Sequence, residues 1–309
     1  MAKDKIAVLY GGISAEHEVS KMSAKSVMEN LDKEKFEIIP VEISKDGKFE
    51  MQKILDSDVI FPVLHGKGGE DGSMQGLCEV LKKPYVGAGI EASALALDKI
   101  ASKQIWQNLK LPIPYFQFFR EEEWRKNPSQ IMQKVRPPVF VKPSTTGSSI
   151  GISKVKKIEE FEAAVEEALK YDKRIIVEEA LEGAREFEVA VLGNVDLVIS
   201  KPGEVIPSEE FYTYTAKYGD DSELIIPAKI EEKKIKEFQD LAEKAYRSLR
   251  IEGMARIDFF MKKDGKILLN EANTIPGFTQ FSMYPTLMEA SGIPYKELLT
   301  RLIELAKER

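Results

Sequence analysis

The segment from Gly253 to Gly277, GMARIDFFMKKDGKILLNEANTIPG, constrains the fold more than any other stretch of the chain. Two apolar runs flank Asp264-Gly265, a dipeptide that favours the tight turn of an antiparallel hairpin. A two-residue loop there puts Asp258 opposite Glu271 and Arg256 opposite Asn273. Side chains alternate along a strand, so these four share one face. Two directly opposed carboxylates repel unless a cation lies between them. Oxygen donors from Asp, Glu and Asn suit Mg2+, which water and phosphate oxygens usually complete. The alternative is a solvent-facing charged ladder, although Asn-Glu-Ala-Asn between Leu269 and Pro276-Gly277 is an odd composition for an exposed edge. The pairing depends on the turn, because a three-residue loop shifts the register.

Composition narrows the chemistry in the same direction. One cysteine (Cys78) and two histidines (His17, His65) exclude a disulfide framework, a four-cysteine or two-Cys-two-His zinc site and an HExxH protease. Any metal therefore rests mainly on carboxylates. A net charge of −6 argues against a general nucleic-acid binder, which needs excess Lys and Arg. No apolar run approaches the ~18 residues of a membrane span, and the run before Gly11 is too short for a signal peptide, so a cytoplasmic compartment with no membrane partner is expected. A length of 309 residues implies two or three domains.

Residues 1–90 alternate strand and helix: strands Ile6 to Tyr10, Phe36 to Ile43 and Val59 to Leu64, with helices after Glu18 and over Asp71 to Leu81. That alternation favours a parallel sheet wrapped by helices. A helix from about Ser93 to Leu109 follows, then strand Tyr115 to Phe119 and a polar helical stretch to Lys134. Strands Val139 to Lys142 and Ile152 to Val155 read as a hairpin, followed by a helix Ile158 to Leu169 and a strand Arg174 to Glu178. Glu186 to Leu192 and Val195 to Ser200 form a further pair joined at Gly193-Asn194. Residues 207–222 form a loop of a length usually kept for functional lids or disorder. Ile235, Phe238, Leu241, Ala245 and Leu249 mark a helix, and Leu298, Leu302 and Leu305 a terminal one.

Three other segments carry chemistry. Val139-Phe-Val-Lys-Pro-Ser-Thr-Thr-Gly-Ser-Ser-Ile-Gly151 delivers Lys142 from a buried strand into a Gly/Ser loop suited to phosphate oxygens, or forms a plain flexible hairpin tip. It is not a Walker A loop, since no GxxxxGK[ST] occurs. Lys99 and Lys217 are further candidate phosphate-binding cations, each read in isolation as a surface charge. In Tyr10-Gly-Gly-Ile-Ser-Ala-Glu-His-Glu-Val-Ser20, Ser14 reads as a helix cap, while Glu16 falls where open parallel sheets bind ligands. Gly87-Ala-Gly89-Ile-Glu-Ala92 matches a loose dinucleotide pattern but lacks the acidic residue about 20 positions later.

GGISAEHEVS, LHGKGGEDGSMQG, LDKIASK, VKPSTTGSSIG, FYTYTAKY, RIDFF and NEANTIPGFTQFS stand in an order and spacing that resembles the D-alanine:D-alanine ligases of the ATP-grasp superfamily, over essentially the whole chain. The resemblance implies a mixed α/β and α+β fold in three domains. These are a Rossmann-like N-terminal domain (1–90), a central small α+β domain (91–177) and a C-terminal α+β domain (178–309) whose lid is loop 207–222. It implies ATP-dependent joining of two D-alanine molecules through an acyl phosphate for peptidoglycan precursors, with two Mg2+ ions, Mn2+ being an alternative, and a homodimer. D-lactate or D-serine as second substrate, or a non-catalytic nucleotide binder, are the competing readings.

The residue roles implied by that resemblance follow. Asp258, Glu271 and Asn273 would hold the metal, and Lys99, Lys142 and Lys217 the phosphates. Glu178, rather than Glu179, would face the adenine amino group, the backbone near Leu181 the base edge, and Glu186 the ribose. Glu16 would bind the first substrate's ammonium and join Ser148 and Tyr218 in one hydrogen-bonded set. Arg256 and the Gly277 N–H would stabilise the oxyanion. Ser282 and the Met283 N–H would take the second carboxylate, and His65 would assist the first. The Lys217-Tyr218 pair follows the dipeptide-forming pattern rather than that of ligases using D-lactate.

Overall fold

The computed structural model describes residues 3–206 and 223–309, and the expected lid at 207–222, with Lys217 and Tyr218, lies outside them. Three sheets organise the chain. β1 (Asp4–Gly11), β2 (Phe36–Ile43) and β3 (Val59–Pro62) form a parallel sheet in the order β2-β1-β3. Ile6, Ala7, Val8 and Leu9 are fully buried, as a strand covered on both faces requires. β4 (Phe116–Arg120), β5 (Val139–Pro143), β6 (Ser153–Val155) and β7 (Arg174–Glu179) form an antiparallel sheet in the order β4-β7-β5-β6. Val141, Val165, Ile175 and Val177 pack there with Phe119, Trp124 and Phe161.

The third sheet is also antiparallel. It contains β8 (Arg185–Leu192), β9 (Val198–Ile199), β10 (Gly203–Ile206), β11 (Glu223–Ile225), β12 (Met254–Met261) and β13 (Ile267–Asn273). Their order is β11-β10-β8-β12-β13, with β9 also on β8. Helix Glu232–Ser248 lays Ile235, Phe238, Leu241 and Ala245 on it, the residues marked by helical spacing. β10 and β11 were not expected. The expected pairing directly across Gly193-Asn194 starts only at Val198, so residues 193–197 form the connection.

Two expected helices are broken. The one ending near Leu109 is two, Ile90–Leu97 and Lys99–Asn108, because the Asp98 carboxylate accepts from the N–H groups of Ile100 (3.1 Å) and Ala101 (3.2 Å) and so starts a new helix. The polar stretch divides into Glu121–Lys126 and Pro128–Met132, since the residue before a proline is steered out of helical backbone.

The turn at Asp264-Gly265 also differs. Lys262 N–H donates to Lys266 O (2.9 Å) and Gly265 sits at φ +81°, so Lys263-Asp264-Gly265 is a three-residue loop. Next to it Phe259 faces Leu269 and Met261 faces Ile267, one residue off the expected register. Asn270 is then an extra residue in β13, a β-bulge that restores Asp258 opposite Glu271 and Arg256 opposite Asn273. The expected pairs form, by two compensating irregularities rather than by a two-residue turn.

One face of the parallel sheet, with Ala7, Leu9 and Ile60, is covered by Ile54, Met74 and Cys78 from its own part of the chain, but the other face is not closed that way. Ile6, Val8 and Phe61 share one cluster with Phe278, Tyr284, Leu298 and Leu302 from the other end of the chain. Phe61 meets Phe278 edge to face at 5.8 Å between ring centroids. Among the described residues no helix is long and apolar enough to cross a membrane.

Candidate active site

A cleft of about 380 Å³ opens between the two antiparallel sheets, within the range of small-molecule sites. One wall is the third sheet. Glu188 on β8, Asp258 on β12 and Glu271 on β13 lie directly opposite one another in a row across three strands. Arg256 compensates them: its Nε lies 2.8 Å from Glu188 Oε2, and Nε and Nη2 each donate to Asp258 at 2.7 Å. Burial opposes the guanidinium charge, yet Asp258 and Glu188 hold it well above its usual pKa. Asn273 Nδ2 donates to Asp258 Oδ2 (2.9 Å), and Lys99 Nζ stands 3.6 Å from Glu271.

Asp258, Glu271 and Asn273 thus come together as hard oxygen donors, the set that Mg2+ accepts. Among the described residues no group of three or more His, Cys, Asp or Glu is arranged to hold a metal by itself. The set fits an ion whose remaining ligands come from a bound phosphate.

The other wall is the central sheet. Lys142 Nζ donates to Glu178 Oε2 at 2.7 Å, and Lys103 Nζ lies 3.1 Å from Glu178 Oε1. Burial alone would raise the Glu178 carboxyl, but Lys103 and Lys142 pull it down to about 2. Leu181 and Glu186 line the same cleft. Lys99 Nζ donates to Thr146 O (2.7 Å), tying the helix start to the Gly/Ser loop. That loop is anchored at its base by Asp172, which accepts from Thr145 N–H (3.0 Å) and Oγ1–H (2.7 Å).

Glu16 joins the parallel sheet to this loop: it is buried and accepts a hydrogen bond from Ser148 Oγ. Ser148 and Ser149 sit at φ +49° and +59°, a left-handed backbone unusual for serine, at the tip that reaches Glu16. Ser14 does not cap the following helix. Its hydroxyl donates to His65 O (2.7 Å) and accepts from Glu16 N–H, bracing Glu16 instead. Gly66 is at φ +69° and a Cβ there would lie 2.8 Å from Glu16 Oε2.

The segment after β13 is held by N-terminal residues. His65 Nδ1 lies 3.2 Å from Ile275 O, and Phe278 N–H donates to Ser23 Oγ (3.3 Å). Burial pushes the His65 imidazole below its usual pKa, which favours the neutral ring. Gly277 and Ser282 follow on this segment, a Cβ on Gly277 lying 3.1 Å from Ser282 Oγ. Ser282 Oγ accepts from Thr279 N–H at 3.1 Å. Met283 opens helix Met283–Ala290, where first-turn N–H groups lack intrahelical acceptors and suit an anion.

Lys103, Glu188 and Glu70 escaped the sequence reading. Lys103 follows Lys99 by four residues, the spacing of one helix face, and Glu188 follows Glu186 by two, the spacing of one strand face. Glu70, in LHGKGGEDGSMQG, accepts from Gly66 N–H (2.7 Å), and burial together with Glu16 raises its carboxyl to about 8.

Two antiparallel sheets enclosing a cleft, with lysines on one wall and opposed carboxylates on the other, define an ATP-grasp enzyme. Comparisons with known proteins are more specific. The families described as D-ala D-ala ligase C-terminus and D-ala D-ala ligase N-terminus match residues 105–304 and residues 5–57 and 48–88. A D-alanine--D-alanine ligase of Caldicellulosiruptor bescii is 44% identical over 352 residues, covering 100% of this chain and 96% of its own. One of Clostridium novyi is 43% identical, covering 99% of each chain. Among solved structures, a D-alanine-D-alanine ligase from Coxiella burnetii superposes with TM-score 0.89 at 35% identity, covering 100% of this chain and 95% of that one. VanG D-Ala:D-Ser ligase from Enterococcus faecalis superposes with TM-score 0.88 at 35% identity, covering 99% and 100%. The chain belongs to the D-alanine:D-alanine ligase family.

Proposed function

We propose that the chain joins two D-alanines into D-alanyl-D-alanine for peptidoglycan precursors, converting ATP to ADP and phosphate. The observation that carries this reading is the opposition of Asp258 and Glu271 on one wall to Lys99 and Lys142 on the other. A carboxylate is a poor electrophile. Its oxygen attacks the γ-phosphorus of ATP and ADP leaves; the amine of the second D-alanine then attacks the acyl carbon and phosphate leaves. Such transfers depend mostly on positioning and charge neutralisation. Mg2+, when held by Asp258, Glu271 and Asn273, neutralises phosphate charge; two ions, or Mn2+ in their place, are part of the proposal.

Lys99 and Lys142, with Lys217 beyond the described residues, bind phosphates in this reading. Glu178, Leu181 and Glu186 receive the nucleoside. Glu16, braced by Ser14 and Ser148, takes the first ammonium, with Tyr218 completing the set and His65 near the first carboxylate. Arg256 and the Gly277 N–H stabilise the oxyanion, and Ser282 with the Met283 N–H takes the second carboxylate. The three sheets support three parts, divided in this reading at 1–90, 91–177 and 178–309, with the second boundary falling inside β7, whose Glu178 and Glu179 pair within the central sheet. A cytoplasmic homodimer completes the proposal.

The second reading is D-serine as second substrate, kept because a D-Ala:D-Ser ligase structure is as similar in sequence to this chain as a D-alanine-D-alanine ligase structure is, at 35% each. Phosphate release with ATP, Mg2+ and D-alanine, followed by product analysis in mixtures with D-serine or D-lactate, tests both. Release with D-alanyl-D-alanine as main product is expected. Preferential D-alanyl-D-serine would establish the second reading, and no release would leave a nucleotide binder.

A further inference from the structure

Helix Lys99–Asn108 buries two lysines, Lys99 and Lys103, on one face. The nucleotide reading absorbs Lys99 but gives Lys103 no part, although it is the more deeply buried at 1% exposure. Its ammonium approaches Glu178 Oε1 at 3.1 Å from behind the cleft wall and donates to Asn270 O, the carbonyl of the bulge residue, at 3.1 Å. Lys142 approaches the other oxygen, Oε2, at 2.7 Å and lines the cleft. One carboxylate is therefore held by two lysines with different freedom. Lys142 has open cleft before it, whereas Lys103 is enclosed and anchored to backbone.

Phosphate in the cleft competes with Glu178 for Lys142. If Lys142 turned to phosphate and nothing replaced it, Glu178 would be a buried, uncompensated charge, which is strongly unfavourable. Lys103 removes that obstacle.

We propose that Lys103 is a positioning residue for the nucleotide: it is the fixed counter-charge of Glu178 that releases Lys142 to bind phosphate. This rests on the nucleotide reading of the cleft. Two observations support the division of labour. Lys103 is enclosed away from the cleft at 1% exposure, so its ammonium has no phosphate to turn to, whereas Lys142 lines the cleft. The Asn270 carbonyl offers Lys103 a second partner that keeps its ammonium in place.

The test is calorimetric titration with Mg2+ and adenylyl imidodiphosphate, which needs neither D-alanine nor turnover. It compares wild type, Lys103→Met, Lys103→Arg, Glu178→Gln and the double variant Lys103→Met/Glu178→Gln. Lys103→Met is expected to bind the analogue at least tenfold more weakly while the KM for D-alanine stays within twofold, and Lys103→Arg to recover most of the loss. Glu178→Gln and the double variant are expected to bind within twofold of each other, because a neutral amide in place of the carboxylate leaves nothing for Lys103 to compensate. Failure of Lys103→Met to fold, with the double variant folding, also supports the counter-charge role.

Unchanged affinity in Lys103→Met, a further tenfold loss in the double variant relative to Glu178→Gln, a fall in kcat alone, or failure of both variants to fold would each overturn it. Wild type that binds the analogue with the expected ratios yet releases no phosphate with D-alanine sinks the functional reading and spares this one. Wild type that does not bind the analogue sinks both.

Discussion

Asp258 divides its carboxylate between Arg256 and Asn273, so an amide in its place keeps the shape and loses the charge. Asp258→Asn is expected to lower phosphate release by on the order of 10²-fold with little change in the urea midpoint; equal turnover at limiting Mg2+ would remove the metal role. Glu70 makes a different prediction. Its carboxyl is raised from 4.5 to about 8 in the fold, by burial first and Glu16 next. Below about pH 4.5 both states are protonated; from there to about 8 the unfolded chain ionises first, so folding loses stability as pH rises. Glu70→Gln should therefore raise the melting temperature at pH 8 and leave it unaltered at pH 4. Glu178 works with the opposite sign: its carboxyl is lowered from 4.5 to about 2, so its contribution is present above about 4.5 and lost as pH falls through 2. Acid melts of Glu178→Gln should show a shallower decline across that window than wild type.

At the scale of elements, the helix beginning at Lys99 matters most, because it aims both lysines. Asp98 caps it and also accepts from Ser144 Oγ (2.5 Å) and pairs with Arg174, tying it to the central sheet. Asp98→Ala should cost about 1–2 kcal/mol in urea unfolding and weaken nucleotide binding; loss of stability with binding intact would separate cap from aim. The break at Asp98 was not legible as such, because Asp also occurs inside helices and only its reach to two N–H groups decides. The hairpin was more legible than its turn. Asp264-Gly265 announces a reversal but suits two-residue and three-residue loops alike. The bulge left a trace: core positions Ile267, Leu269 and Ala272 are spaced by two and then three, one residue more than a regular strand allows. For Lys103 and Glu188 the spacing from Lys99 and Glu186 marks a shared face, but nothing along the chain says that this face will be buried rather than solvated.

For the whole molecule, strand-helix alternation revealed the parallel sheet, but not what would cover it. Periodicity reports that a face is apolar and says nothing about which distant segment meets it. Here Phe278, Tyr284, Leu298 and Leu302 do so. Phe278→Ala should cost about 3–5 kcal/mol, and calorimetry should show the loss in the whole cooperative transition. A melt that splits, with the N-terminal part unaffected, would contradict the shared core. The arrangement also has a consequence for synthesis. On the ribosome the face bearing Ile6, Val8 and Phe61 emerges with Ala24 and Val27 beside it but long before Phe278, Tyr284, Leu298 and Leu302, which complete its cover. The segment bearing Gly277 and Ser282, fastened to Ser23 and His65, is completed by the same late docking. A chain truncated before its final helix would therefore lose Leu298 and Leu302 from the cover of that face, and with Tyr295 the hydroxyl that donates to Phe278 O beside the substrate loop.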